Sequence, residues 1–342
     1  MQQTIATGAM LAVASGLMNG SFTLPMRFLG RWEWENVWSI FITVSCLLMP
    51  AAIITLVAPQ SWSVLAHAPG QAVLVALLTG FAWGFGAIMF GQSVSAIGIS
   101  LANTLVLAIS SAVGSLLPLV ILDRDKLMQR SGRMILSGVL IEVLAIALCG
   151  WAGHLREKTA GIDSDRGNLV GRARSIGAGL LLATGAGVFS AIFNIGFTMA
   201  QPIAAAGRAS GLSQFSSVNL IWVLMLGAGL VPNLGFCIYL FLKNRSLGGF
   251  VKPGSGRLYS LSALMALLWG GSIFVYGAAA PRLGALGTAI GWPLSLATGL
   301  LLANIFGLAL GEWRQAPPRA RKWMYSGIGI LLVAIVVLSQ AS

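Results

Sequence analysis

The sequence predicts an all-α integral membrane protein with ten transmembrane helices, arranged as two inverted repeats of five helices. The first observation is composition, because 57% of the 342 residues are hydrophobic and 9% are charged, whereas about 25% of the residues of a soluble protein are charged. The second is that apolar segments of about 20 residues, the length that crosses a bilayer, recur along the whole chain. The third is that one pattern, W-G-x6-G-x6-G, occurs twice with an offset of 186 residues.

Ten apolar segments are the predicted spans. The first has no basic residue before it and is too long for a cleaved signal peptide, so we interpret it as a membrane helix. Very short turns, near Gly98 and at residues 281–284, separate the third span from the fourth and the eighth from the ninth. The spans are predicted at residues 5–26, 37–58, 72–92, 97–121, 133–152, 176–200, 217–242, 258–280, 285–311 and 323–340.

The longest hydrophilic stretch, residues 153–175, is predicted to be a charged linker between the two repeats. It divides the chain into residues 1–152 and residues 176–342, with five spans in each part. Since five is an odd number, the second repeat has to enter the membrane upside down relative to the first.

The tryptophan-glycine pattern supports this division. Its copies, residues 83–98 and 269–284, begin at Trp83 and Trp269, and each lies in the third span of its repeat. A weaker echo relates G-L-M-N at residues 16–19 in the first span to G-V-F-S at residues 187–190 in the sixth. Chance spacing among the 43 glycines is the alternative explanation.

The basic residues predict the orientation. The chain has a net charge of +12, and most Lys and Arg residues lie in the loops that follow odd-numbered spans. The positive-inside rule places those loops and the linker in the cytoplasm and both termini in the periplasm. No basic stripe with interleaved aromatic residues is present, so nucleic acid is not an expected partner, whereas membrane lipid is.

The polar residues inside the spans are mostly neutral and carry hydroxyl or amide groups. Such groups need a partner or a cavity within a membrane. With aromatic rings nearby, the set suits a polyol, whose hydroxyls need matched donors and acceptors and whose C–H faces stack on rings. Hydrogen bonding between helices is the alternative role. The predicted substrate-binding residues are Asn19, Trp83, Gln92, Asn103, Asn194, Trp269, Tyr276 and Trp292.

Glu142 is the only acidic residue near the middle of a predicted span. A charged carboxylate there costs about 2.5–3.5 kcal/mol. Its neighbours on one helix face, Gly138, Ala145 and Cys149, are small, so we expect this face to pack against protein. We predict that Glu142 is a proton-coupling residue, and the alternative is a protonated side chain that bonds between helices.

The sequence argues against catalysis and against a cofactor. The three cysteines, Cys46, Cys149 and Cys237, are scattered through apolar segments without metal-ligand spacing. No HExxH, GxSxG or P-loop pattern is present, and no paired carboxylates occur within a span. We therefore predict a protein that is not an enzyme and that has no catalytic residue, metal or cofactor.

Six short segments resemble the L-rhamnose–proton symporter family, which belongs to the drug/metabolite transporter superfamily. They are spread over nearly the whole chain. They are R-W-E-W-E-N-V-W-S at residues 31–39, W-G-F-G at 83–86, F-G at 90–91, G-R-M at 132–134, N-L-G-F-C at 233–237 and E-W at 312–313.

This resemblance implies a permease of the bacterial inner membrane that takes up L-rhamnose or a related monosaccharide with protons. It also implies the inverted five-plus-five fold of drug/metabolite transporters and alternating access of a central site. Two alternatives remain at this point, namely a drug/metabolite-type exporter and a proton-independent sugar facilitator.

Overall fold

The computed structural model of the chain describes residues 2–29, 32–122, 124–159 and 176–341. In these ranges all regular secondary structure is helical, so the predicted all-α class is confirmed. The α-helices of the described ranges are α1 (Gln2–Ser21), α2 (Trp34–Thr43), α3 (Met49–Val57), α4 (Ser61–Ala66), α5 (Gly70–Ile97), α6 (Ile99–Leu122), α7 (Arg130–Thr159), α8 (Ile176–Met199), α9 (Gln201–Ala209), α10 (Gln214–Asn244), α11 (Ser255–Ala279), α12 (Gly287–Ala309) and α13 (Pro318–Ser339).

Nine helical segments of the described part are long and apolar enough to cross a membrane, as judged by length and composition. They correspond to the second to tenth predicted spans. The second span is formed by α2 and α3, which a π-helical turn, Val44–Leu48, joins into one continuous segment. The 20-residue helix α1 is not among the nine. The chain is thus a multi-pass helical membrane protein.

Four predicted boundaries differ from the helix ends by five residues or more, namely the ends of the first, third and fifth spans and the start of the tenth. The first span is predicted to end at residue 26, but α1 ends at Ser21 and a 3-10 turn, Leu24–Phe28, follows. Pro25 lies in that turn and has no N–H group with which to continue an α-helix. Since α2 begins at Trp34, the connection that follows α1 is short.

The fifth span is predicted to end at residue 152, but α7 continues to Thr159. Arg156 and Lys158 lie in its last turn, where basic side chains interact favourably with the negative end of the helix dipole. The predicted linker 153–175 therefore begins inside a helix, and residues 160–175 lie outside the described residues.

Both predicted short turns are present. Gly98 alone separates α5 from α6, and a 3-10 turn, Ala280–Leu283, leads to Gly284 before α12. Gly98 has φ = 83° and Gly284 has φ = 84°, a left-handed conformation that favours glycine. The last glycine of each copy of the repeated pattern therefore makes the turn between two membrane helices.

The chain forms two compact units. The first unit comprises Met1–Gly20, Gly86–Ile195 and Ala279–Ser342, and the second comprises Ser21–Phe85 and Gly196–Ala278. Each unit takes residues from both predicted repeats, so the units are not the repeats. The boundaries of the repeats remain a prediction.

In the first unit, α7 packs against α6 and α13. A Cβ atom on Gly150 or Gly153 of α7 would lie 2.6 Å from the Cβ atom of Thr104 or Ser100 of α6. On the other side of α7, a Cβ atom on Gly327 of α13 would lie 3.1 Å from the backbone nitrogen of Cys149. The absence of side chains at these glycines lets the helices approach, which is how helices associate where lipid supplies no hydrophobic drive.

In the second unit, the first half of α5 packs against α10. A Cβ atom on Gly84 would lie 2.5 Å from the carbonyl oxygen of Gly229, and one on Gly229 would lie 2.6 Å from the Trp83 ring. The corresponding glycine of the second copy, Gly270, faces Met49 of α3, whose sulfur would lie 2.9 Å from its Cβ.

We expect Gly84→Ala to destabilise the protein by about 1–3 kcal/mol, because its methyl group would overlap the Gly229 carbonyl, a backbone atom that cannot move aside cheaply. Thermal unfolding in detergent checks this. Gly235→Ala on α10 is the matched control, since nothing lies within 4 Å of the added Cβ. Equal melting temperatures for the two variants would contradict the close approach of α5 and α10.

Candidate functional site

The two tryptophans of the repeated pattern stack on each other in the second unit. The ring centroids of Trp83 and Trp269 are 5.2 Å apart and the ring planes differ by 12°. Trp269 also lies 5.6 Å from the ring of Phe41. Both indoles are only half-buried, so part of each flat apolar ring remains accessible. Such a surface suits the C–H face of a sugar or another flat apolar group.

This stack continues along α2. The rings of Trp34 and Trp38 are 5.0 Å apart, and those of Trp38 and Phe41 are 4.7 Å apart. The segment around W-E-W-E therefore supplies a row of aromatic rings that ends on Trp269. This segment carries part of the family resemblance, but none of its residues is among the predicted site residues.

Asn233 joins three helices of the second unit. Its Oδ1 atom accepts a hydrogen bond from Trp38 Nε1 at 2.9 Å, and its Nδ2 atom donates to the carbonyl oxygens of Gly229 at 2.9 Å and Gly84 at 3.2 Å. The side chain is fully buried on α10. Asn233 is missing from the predicted site residues, although an amide in an apolar span was the signal that could have found it.

Tyr276 has a different environment from the tryptophan pair. Its side chain is 1% exposed, and its ring lies 5.6 Å from that of Phe197 and 6.3 Å from that of Trp222. Phe197 and Trp222 themselves stack at 4.3 Å. The structure thus places Tyr276 in the aromatic core of the second unit, and its predicted contact with substrate stays a prediction.

A neutral polar cluster lies in the first unit. The hydroxyls of Ser110 on α6 and Ser190 on α8 are 2.8 Å apart. Trp292 on α12 donates from Nε1 to the carbonyl and hydroxyl oxygens of Ser110, both at 3.2 Å. Asn194 on α8 donates from Nδ2 to the carbonyl oxygens of Gly114 at 2.9 Å and Thr288 at 3.4 Å. We call Ser110, Ser190, Asn194 and Trp292 the serine–tryptophan cluster.

The cluster brings together two predicted residues, Asn194 and Trp292, and adds two serines. Its members carry no charge, and its hydroxyls can donate or accept hydrogen bonds after a simple rotation. The remaining predicted residues of the first unit are half-buried on three other stretches of helix. Those residues are Asn19 on α1, Gln92 on α5 and Asn103 on α6.

Glu142 on α7 is linked to the serine–tryptophan cluster through α6. Its side chain is fully buried, which confirms that its face of α7 packs against protein. Its Oε2 atom accepts a hydrogen bond from the Ser111 hydroxyl at 2.6 Å, and its Oε1 atom has no partner among the described residues. Since Ser110 and Ser111 are consecutive in α6, one short stretch of helix contacts both the cluster and the carboxyl group.

Two further buried carboxyls are not among the predicted site residues. Glu157 on α7 accepts hydrogen bonds from the backbone nitrogen of Ser100 at 3.1 Å and from its hydroxyl at 2.6 Å. Glu35 on α2 accepts from Asn244 Nδ2 at 2.9 Å and from the Ser246 hydroxyl at 2.5 Å. Both lie near helix ends, in hydrophilic sequence that predicts exposure to water. The exposed fractions are 4% for Glu157 and 2% for Glu35.

No group of three His, Cys, Asp or Glu side chains that could hold a metal ion lies within the described ranges. Cys46, Cys149 and Cys237 are free, buried thiols. The first unit therefore offers hydroxyls, amides, an indole and one mid-span carboxyl, and the second unit offers a row of aromatic rings and the Asn233 amide.

Membrane-length helices that bury neutral hydroxyl and amide groups, together with a mid-span carboxyl, are typical of a membrane transport protein. One known protein family matches the chain over its whole length. The family described as L-rhamnose-proton symport protein (RhaT) matches residues 1–342, and the chain belongs to this family.

Individual relatives agree with this assignment. The chain is 29% identical over 341 residues to a protein named L-rhamnose-proton symporter from Escherichia coli strain 55989, with 98% of this chain and 97% of the relative covered. Proteins of the same name from Shigella boydii serotype 18 and Escherichia coli O17:K52:H18 are also 29% identical, over 98% and 99% of this chain and 97% and 99% of the relatives.

We expect the stacked pair Trp83 and Trp269 to have a coupling energy of about 0.5–1.5 kcal/mol, because each ring packs on the face of the other. A double-mutant cycle with Trp83→Ala and Trp269→Ala, measured by unfolding in mixed detergent micelles, gives this value. Trp62 is the control partner, since its indole donates to Thr55 instead. Additive effects of Trp83→Ala and Trp269→Ala would mean that the stack does not stabilise the protein.

Proposed function

We propose that the chain takes up L-rhamnose or a related monosaccharide together with protons across the bacterial inner membrane. The observation that carries this proposal is the family match over residues 1–342. The relatives that cover nearly the whole chain bear the same description, L-rhamnose-proton symporter.

The chemistry of the first unit supports an uncharged, hydroxylated substrate. The serine–tryptophan cluster is neutral and contains two hydroxyls that can rotate between donor and acceptor roles. An ionic substrate would need a countercharge that this cluster does not have. We therefore propose that Asn19, Gln92, Asn103, Asn194 and Trp292, with Ser110 and Ser190, contribute hydrogen bonds to sugar hydroxyls.

The chemistry of the second unit supports stacking on the C–H face of a deoxy sugar. L-rhamnose carries a methyl group, and the exposed parts of the half-buried Trp83 and Trp269 rings suit such an apolar patch. We keep Tyr276 as a candidate because its ring lies among the aromatic rings of Phe197 and Trp222 in the same unit.

We further propose that α1 is a tenth span and that the two repeats are inverted. Equivalent contacts support this. Within the first unit, the Cβ position of Gly16 is 2.5 Å from the Ser295 carbonyl and that of Gly187 is 2.8 Å from the Ile109 side chain. Gly16 and Gly187 open the two echo segments, and Ser295 and Ile109 differ by the 186-residue offset of the tryptophan-glycine pattern.

The second unit contains a similar pair of contacts. Gly84 faces α10 in the seventh predicted span, and Gly270 faces the middle of the second predicted span. In each case the third helix of one repeat packs on the second helix of the other repeat. Repeats of this kind alternate access by rocking around a fixed site, which is the mechanism that we propose here. The excess of Lys and Arg in the loops after odd-numbered spans supports periplasmic termini and a cytoplasmic linker.

We propose that Glu142 binds the transported proton. It is fully buried in a membrane-length helix, and its Oε1 atom has no partner among the described residues. A carboxyl in that position can take up a proton at Oε1 without breaking the bond from Ser111 to Oε2. The bond from Ser111 to Glu142 supports a link between this proposed proton site and the α6 segment that contains Ser110 of the serine–tryptophan cluster.

L-rhamnose should raise the melting temperature of the purified protein in a saturable way, because a ligand that binds only the folded state stabilises it. At a concentration of 100 times Kd, the stabilisation is about 2.7 kcal/mol. Thermal unfolding against a panel of monosaccharides measures this, with the mirror-image sugar as the matched control. Absence of a shift with every sugar, together with absence of uptake into vesicles, would contradict the proposed substrate class.

Glu142→Gln should abolish the accumulation of L-rhamnose that an inward proton gradient drives, while exchange of labelled for unlabelled sugar continues. The amide keeps the shape of the side chain but cannot bind a proton. Uptake into proteoliposomes with and without a gradient measures both activities. Glu312→Gln is the control, because its carboxyl is 33% exposed and paired with Arg156.

Full gradient-driven accumulation by Glu142→Gln would show that another group binds the proton. Wild-type uptake that does not respond to a gradient would instead favour a proton-independent facilitator. The two results are distinguishable, because the first concerns the variant and the second concerns the wild type.

A further inference from the structure

A cavity of about 360 Å³ lies beside the segment that joins α10 to α11, in the second unit. Trp32 forms one wall, and its position is fixed. Its Nε1 atom donates to the Gly249 carbonyl at 3.0 Å, and its ring contacts those of Phe250 and Tyr259 edge-on at 5.3 Å and 4.9 Å. The lining residues are Trp32, Lys252, Pro253, Ser255 and Leu258.

The segment around this cavity, residues 243–257, is strongly cationic. It contains Lys243, Arg245, Lys252 and Arg257, all exposed, and no acidic residue. Within the described part of the chain, no ion pair involves Lys252 or Arg257. Lys252 lines the cavity, and Arg257 follows the lining residue Ser255 by two positions in the chain.

Glu35 is a buried acidic residue that bonds to the same segment. Its buried carboxylate accepts hydrogen bonds from Asn244 and Ser246. Glu35 thus holds the side chains of Asn244 and Ser246 in place, while Lys252 remains exposed at the cavity. Asn36 adds a second tie, because its Nδ2 atom donates to the Ser246 carbonyl at 3.1 Å.

Large apolar side chains flank the cations. Leu247 is 56% exposed and Val251 is 86% exposed, both on the 3-10 turn Ser246–Val251. This turn follows directly on a membrane-length helix, and another begins four residues after it. Exposed apolar side chains next to Lys and Arg at the end of a span are typical of the membrane interface, where acyl chains meet phosphate groups.

We propose that this cavity binds the phosphate-containing headgroup of an anionic phospholipid. Lys252 would contact the phosphate with Arg257 nearby, and Leu247 and Val251 would lie against the acyl chains. Basic pockets at the ends of membrane helices bind anionic lipid headgroups in this way, and charge complementarity selects this occupant over a zwitterionic lipid. The proposal is independent of the sugar and of the proton, since none of its residues belongs to the proposed transport site.

The double variant Lys252→Gln/Arg257→Gln tests the proposal. Each basic residue near an anionic surface contributes a factor of about five in affinity, so removing both should weaken binding about 30-fold. Native mass spectrometry of the full chain, titrated with phosphatidylglycerol and phosphatidylcholine of equal chain length, measures the affinity. Both side chains are exposed and unpaired among the described residues, so we expect the variant to fold, and its melting temperature without lipid checks this.

Arg319→Gln/Lys322→Gln is the matched control, because it removes the same charge from exposed positions at the start of α13. We expect this control and Lys252→Arg to keep the preference for phosphatidylglycerol. Equal losses in the control and in the test variant, or no loss in either, would overturn the proposed site. Stabilisation of the wild type by inorganic phosphate alone to the same extent as by the lipid would overturn the choice of occupant.

Discussion

A polar group that is buried inside a membrane has to find its hydrogen-bonding partner within the protein, because neither water nor lipid supplies one. This constraint determines where the helices meet. Asn233 illustrates it, since one fully buried amide bonds to Trp38, Gly84 and Gly229 and so ties together three helices. In the first unit, the indole nitrogen of Trp292 donates to the carbonyl and hydroxyl oxygens of Ser110, which ties α12 to α6.

The glycines make these bonds sterically feasible. Asn233 reaches the Gly84 carbonyl because no Cβ atom on Gly84 keeps α5 and α10 apart. The same approach seats the Trp83 ring on Gly229, which orients the indole for stacking on Trp269. Polar bonding, close backbone packing and the candidate stacking surface are therefore consequences of one contact between two helices. A larger residue at Gly84 would disturb all three together.

The sequence predicts features that depend on local periodicity, such as the turns at Gly98 and Gly284 and the protein-facing burial of Glu142. It does not predict partners that lie far apart in the chain. Glu157 sits in a hydrophilic sequence, and only the antiparallel packing of α7 on α6 buries it against Ser100. Likewise, the sequence does not distinguish Tyr276 from Trp83 and Trp269, because all three are aromatic residues in predicted spans. Only the packing of Tyr276 on Trp222 separates it from the tryptophan pair.

The α6 helix offers a physical route by which proton binding and sugar binding could be coupled. Ser111 bonds to Glu142, and the preceding residue, Ser110, bonds to Ser190 and Trp292. Consecutive residues of an α-helix have a fixed separation of about 1.5 Å along its axis, so a displacement of the Ser111 backbone also moves Ser110. On the proposed role of Glu142, a proton that changes the Ser111 bond therefore also shifts Ser110. Glu157 lacks this link, since its serine partner lies at the start of the helix, about three turns away.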